Sequence, residues 1–306
     1  MQNSIRFKKF LLPALFVFGL ILILTTLPAS AAQDENTIYD SDPKHLWNRL
    51  NETLFFRIAR DGKKYGLDEL DILYWSRTKN LLIEPSHQQA LTMLDEFNDT
   101  RGEKLIRDPL KRALLQRDLW NLFDWVATPF WNVNEAEARR ELQSRLAMAI
   151  RRVALSTIEI ALLPDNYAVS KIKTLPNLLQ GLFQTNGAWV NVGIGYTDPA
   201  ALAHVANSSG RSTFLVMLHH PGGQPAAIDY LKRLSSFMPM WVYRTNSDSS
   251  IEPQPNPGLP QFPKNTQWAL VRRMNVIDTN GRIQPTRIVE SIQMRTYLNF
   301  FAQHND

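Results

Sequence analysis

The first half of the chain is patterned at helical period. Leu46, Leu50, Leu54 and Ile58 recur every four residues and mark one apolar stripe. Asp42 and Pro43 stand just before it, in the order of an N-cap followed by proline at the first helical position. A second helix is expected from Ser86, where Ser86 and Gln89 have capping-box spacing. A third repeats the Asp-Pro start at Asp108 and Pro109, with a stripe of Leu110, Leu114, Leu115, Leu119, Leu122, Phe123 and Val126. A fourth is capped by Asn134 and carries Glu135, Glu137 and Glu141 near its positive end. Its apolar positions run through Leu142, Leu146, Ile150 and Val153 to Leu163, where Pro164 stops it.

The second half changes period. "AWVNVGIGY", "STFLVMLHH", "MWVYR", "QWALVRRMNVID" and "TRIVESIQMRTYL" are rich in Val, Ile and aromatics and read as strands. Asn280-Gly281 between the last two signals a hairpin. Short helices are expected over 199–206 and 224–236. Five prolines fall between Glu252 and Asn265, which reads as a long extended loop. The expected fold class is α+β: a helical N-terminal part over 32–165, then a part over 166–306 with a mainly antiparallel sheet, two short helices and the Pro-rich loop 252–265.

The N-terminus alters where this fold is expected to work. Arg6, Lys8 and Lys9 precede an uncharged stretch from Phe10 to Leu27, and Ala29-Ser30-Ala31 follows as a small-residue cleavage site. Residues 1–31 therefore read as a secretory signal peptide, with an uncleaved membrane anchor as the rival reading. Either places the bulk of the chain outside the cytoplasm, in a periplasm, cell envelope or extracellular space. The chain has no cysteine, which excludes disulfides, thiolate metal sites and c-type haem attachment. Sequons occur at Asn51, Asn98 and Asn207.

Charge narrows the partners. Residues 32–165 carry 19 basic and 22 acidic groups, and residues 166–306 carry 12 and 7. The opposite signs suit an anionic ligand or acidic partner for the second half, but the excess is too small to imply nucleic acid. Arg272, Arg273, Arg282, Arg287 and Arg295 fall on the last hairpin, with Glu290 as a cross-strand partner. Contact with a membrane is expected only through an uncleaved leader.

One stretch carries candidate chemistry. "LVMLHHPGGQPAAIDYL", Leu215 to Leu231, joins a strand to a helix through His219, His220, Pro221, Gly222 and Gly223. Adjacent strand residues face opposite ways, so both histidines reach one ion only if the strand has ended by then. His204 and Asp229 are the candidate further ligand or acid. The glycine amides could stabilise an anion. Against this, no H-E-x-x-H supplies a metal site with its base, and no G-x-S-x-G supplies a nucleophile elbow. "VGIGYTD" lacks the third glycine of a phosphate loop. Trp120, Trp125 and Trp131 read as core aromatics more readily than as a sugar-stacking platform. With no complete catalytic constellation and no cofactor expected, the sequence favours an exported binding protein that uses the Pro-rich loop and the basic hairpin as contact surfaces. The alternative is a metal-dependent or other hydrolase centred on His219 and His220.

Overall fold

In the computed structural model the described residues are 37–58, 62–66, 80–128, 135–169, 181–192, 204, 208, 210–245 and 250–298. The leader, Trp131, Asn134, the glycines of "VGIGYTD" and Asn207 lie outside them.

Four helices build the first part: α1 (Leu46–Phe55), α2 (Ser86–Asp99), α3 (Pro109–Ala127) and α4 (Ala136–Arg152). Their apolar stripes meet in a core that includes Leu50, Leu54, Leu94, Phe97, Leu115, Leu119, Leu142 and Leu146. A two-stranded ladder, β1 (Arg57–Ile58) with β2 (Lys64–Tyr65), follows α1. Trp47 is fully buried, and its indole N–H donates to the Gly102 carbonyl at 2.8 Å. Gly102 must be glycine, because a Cβ there would sit 2.5 Å from the Phe97 ring.

The helix boundaries correct three expectations. α1 starts at Leu46, not after Asp42, because Asp42 to His45 form a turn closed by the His45 N–H on the Asp42 carbonyl. The His45 ring then serves as cap, accepting from the Trp47 N–H at 3.2 Å. In α2, Pro85 takes the cap position, so Ser86 is already helical and donates to Asn80 at 3.2 Å; the Ser86–Gln89 box does not form. α4 ends at Arg152 and does not run to Leu163. A new helix, α5 (Thr157–Ala161), opens instead with a capping box between Ser156 and Glu159. That box satisfies the new N-terminus, so the break costs little. Asp108 does cap α3 as expected, accepting from the Leu110 N–H at 2.8 Å.

The strands are where the pattern puts them: β3 (Trp189–Asn191), β4 (Ser212–His219), β7 (Gln267–Ile277) and β8 (Ile283–Thr296) form one antiparallel sheet in the order β3-β4-β7-β8. One face packs Leu182, Trp189, Met217, Ala269 and Val271. The other carries Phe214, Val216 and Leu218, with α7 (Gly223–Ser236) laid over Leu218 through Ala227 and Tyr230. A short helix, α6 (Asn166–Val169), braces the sheet edge, where the Asn166 amide exchanges two 2.8 Å hydrogen bonds with the Val289 backbone. The class is α+β, helical first and then antiparallel sheet.

The Pro-rich segment is only partly a loop. Residues 251–255 form β6 (Ile251–Pro255), paired antiparallel with β5 (Trp241–Thr245) in a separate two-stranded ribbon. Asn256 N–H donates to the Met240 carbonyl at 2.9 Å, so the even-numbered pairs are the hydrogen-bonded ones. Pro253 and Pro255 therefore turn their nitrogens outward, where no donor is needed.

The helical part and the sheet meet through Ala113, Leu155, Ile160, Met274, Val276 and Ile288. Gln116 adds a polar tie. Its side chain is 1% exposed, accepts from the Ile277 N–H at 2.7 Å, and donates to the Ile277 and Ile150 carbonyls at 2.9 and 3.2 Å. Replacement by a residue of similar size without the amide would strand these three backbone groups. Gln116→Leu is expected to destabilise the fold by about 3 kcal/mol. Urea unfolding of the variant beside the parent checks this, and a difference under about 0.5 kcal/mol would contradict it.

Candidate functional sites

His219 is the last residue of β4, opposite Trp189 on β3. Its ring lies 5.3 Å from the Trp189 ring, and its Nδ1 is buried without a hydrogen-bond partner. Burial, with a smaller contribution from neighbouring His220, holds its pKa below the ordinary 6.5. The His220 ring lies 6.3 Å from Tyr230, which packs on the opposite sheet face with Leu218. The pleat is maintained to the strand end, so the two rings diverge.

The glycine turn is used internally. The Gly222 N–H donates to His220 Nδ1 at 2.9 Å, and the Gly223 N–H donates to the His220 carbonyl at 2.8 Å. Gly223 adopts φ +80°, which closes the turn and starts α7. Both amides offered by the sequence as anion donors are thus spent on His220. In its neutral form, accepting at Nδ1 leaves the His220 proton on Nε2.

The remaining two candidates are placed apart. His204 is exposed, with its ring 5.6 Å from Phe214. Phe214 precedes Leu218 by four residues on β4, roughly 13 Å along the strand. Asp229 is exposed on α7, beside the buried Tyr230. Among the described residues, no group of three or more His, Asp or Glu side chains is placed to hold one metal ion.

A denser cluster of ionisable groups sits where α3 meets the sheet. β8 bulges at Glu290, since Val289 and Ser291 face consecutive residues Arg273 and Arg272. Glu290 forms an ion pair with Arg272 at 2.9 Å, accepts from Ser212 Oγ at 3.0 Å and lies 3.9 Å from Arg117, while the Arg272 Nε–H donates to Ser212 Oγ at 2.7 Å. Arg117 in turn pairs with Asp118 at 2.7 Å, and Asp118 accepts from the Tyr39 hydroxyl at 3.4 Å. Burial first, then the Asp118 charge, pushes the Tyr39 phenol well above its usual range. Two cations and two anions balance, which suits a bracing network. Arg273 leaves by the other face and lies 4.4 Å over the Phe183 ring. Sequence offered Glu290 as a cross-strand partner for the hairpin arginines without singling out Arg272, and Arg117, Asp118 and Tyr39 carry no local signal of their long-range partners.

The β5–β6 ribbon exposes an aromatic pair. Trp241 is 58% exposed and Tyr243 is 76% exposed. They share a face with Ile251, Pro253 and Pro255, because Trp241 opposes Pro255, Tyr243 opposes Pro253 and Thr245 opposes Ile251. These are the close, non-hydrogen-bonded pairs, so the N–H and C=O groups of Trp241, Tyr243 and Thr245 point away from β6. Among the described residues no strand pairs with the outer edge of β5, which leaves it open to strand pairing, whereas prolines block the β6 edge. The ribbon's base is held: Tyr230 donates to the Pro260 carbonyl at 2.8 Å, and Phe262 packs at 4.8–5.3 Å on Tyr230, Trp268 and Tyr297.

Two of the three sequons lie in the core. Asn51 and Asn98 are buried, and Asn98 donates to the Arg145 carbonyl at 3.2 Å. Neither is accessible for glycosylation in the folded chain.

His219 provides a pH test. A histidine with a lowered native pKa leaves the unfolded chain the stronger proton binder. Its contribution is complete above 6.5 and is lost as pH falls through the native value. The His219 imidazole is expected to titrate below 6.5 by NMR, and His219→Gln should lessen the loss of stability on acidification. A midpoint at or above the ordinary value would contradict the burial argument.

Comparison with protein-family models, curated proteins and solved structures finds no match for the chain.

Proposed function

We propose that this chain is an exported cell-envelope protein that acts by binding a partner, and that the β5–β6 ribbon is its principal contact element. The observation that carries the reading is the pairing of exposed Trp241 and Tyr243 with an open β5 edge. Exposed aromatics on a fixed base are what interface anchors consist of. An open edge adds main-chain hydrogen bonds to an extended segment, and alternate side chains then set specificity. The partner is accordingly an envelope protein that presents an extended strand. Export rests on the leader sequence, with cleavage before Ala32 and release into the periplasm or extracellular space; an N-terminal anchor is the alternative. Among the described residues, no helix is long and apolar enough to cross a membrane.

A metal-dependent or other hydrolase centred on His219 and His220 is the second reading, favoured by the buried, unpartnered Nδ1 of His219. Metal-dependent turnover that disappears in His219→Ala/His220→Ala would bring it forward.

Two variants separate the ribbon's contributions. Trp241→Ala/Tyr243→Ala removes the aromatic face, and Thr245→Pro removes an outward backbone donor while retaining both aromatics. In cells carrying a photoreactive residue at position 251, the parent is expected to give a discrete crosslinked adduct that both variants lose. With the partner purified, the double variant should bind at least about thirtyfold more weakly. An adduct insensitive to both variants, or no adduct, would overturn the assignment. Sequencing of the mature N-terminus tests the compartment: a start at Ala32 supports release, and retention of residues 1–31 supports the anchor.

A further inference from the structure

We propose that the cleft between α3, α4 and the β7–β8 turn is a binding site for a small apolar molecule bearing one carboxylate. The cleft holds about 380 Å³, within the range of small-molecule sites. Trp120 and Phe123 of α3, Ile150 of α4 and Ile277 of β7 form its apolar wall. Arg151 and the turn residues Thr279 and Asn280 form its polar rim.

The rim selects charge. Arg151 is exposed and makes no ion pair among the described residues, whereas the adjacent Arg152 lies 3.9 Å from Glu103. The acid in the lining, Asp278, is already engaged. Its carboxylate accepts from Asn280 N–H at 2.8 Å, from Arg282 N–H at 2.9 Å and from the Gln284 amide at 2.9 Å. Those bonds, led by the Arg282 N–H, hold it below its ordinary pKa, so it stays an anion turned into its own loop.

Backbone acceptors at this end of α4 are also engaged. The Ala149 carbonyl accepts from Val153 N–H, Ile150 from Gln116, and Arg151 from Ala154 N–H. Among the described residues the one charged lining group without an ion pair or a side-chain hydrogen bond is thus the Arg151 guanidinium, available to grip a carboxylate through two parallel bonds. An apolar body against Trp120 and Phe123 with a carboxylate at Arg151 satisfies both ends. This site is separate from the β5–β6 ribbon and does not depend on the ribbon's role.

Titration calorimetry of the full chain with decanoate, and with decan-1-ol as the uncharged probe of equal chain, tests the assignment. Decanoate is expected to bind saturably and about tenfold more tightly than the alcohol. Arg151→Gln should bring decanoate down to the level of the alcohol and leave the alcohol unchanged. Ala147→Trp, which fills the cleft from an exposed helix position, should abolish both. Both positions are on the surface, so the variants retain the fold, and matching thermal midpoints verify it. The proposal is overturned by no saturable decanoate binding below about 1 mM. It is equally overturned if Arg151→Gln weakens both probes alike, or if Ala147→Trp binds decanoate as the parent does.

Discussion

Where the helical layer meets the sheet, one side chain behaves as a strand. Gln116 presents an amide to Ile277 as a neighbouring backbone would, accepting from its N–H and donating to its carbonyl. Among the described residues no strand pairs with the end of β7 on that side, and a buried backbone pair without partners would cost several kcal/mol. Apolar packing around Ala113 and Met274 brings the layers together without fixing their register. The amide fixes the register, because its bonds are directional. Everything attached to the β7–β8 turn inherits that placement, including the Asp278 loop and the short parallel bridge from Leu155 to Asp278.

Charge performs a second joining role further along the same seam. The bulge at Glu290 re-aims one carboxylate into a row with Arg272, Ser212 and Arg117. Such a row is costly to break one member at a time, since each deletion leaves an uncompensated neighbour. Specificity of docking, more than net stability, is what a balanced row of this kind supplies. Apolar area, a side-chain amide and a bulged carboxylate thus act in sequence: contact, register and orientation.

Much of the architecture was legible because the relevant signals are local. Runs of branched and aromatic residues marked the sheet, Asn280-Gly281 marked its last turn, and Asp108 marked the start of α3. The misplaced boundaries had local signals that a competing pattern hid. Ser156-x-x-Glu159 is a capping box, but it sits inside a run of apolar residues that reads as one continuous helix. The five prolines argued against a strand, and only the register of β5 against β6 shows that their nitrogens face outward. At His219 and His220 the alternation of a strand was the right guide, and Pro221 did not end it early. Gln116 and the Glu290 row were not legible, since a polar residue inside an apolar stripe carries no mark of a partner 161 or 78 residues away.

The prolines of β6 also set a limit on valence. A ribbon with two open edges is a template that can propagate, each added strand exposing a new edge for the next. Here one edge lacks the donors to continue. Pairing of β5 with a β5 from another chain would leave a proline-bearing β6 at both outer margins, and growth would terminate at that step. The same residues that made this segment read as a structureless loop would make the ribbon a connector with a single socket, able to join once and unable to polymerise.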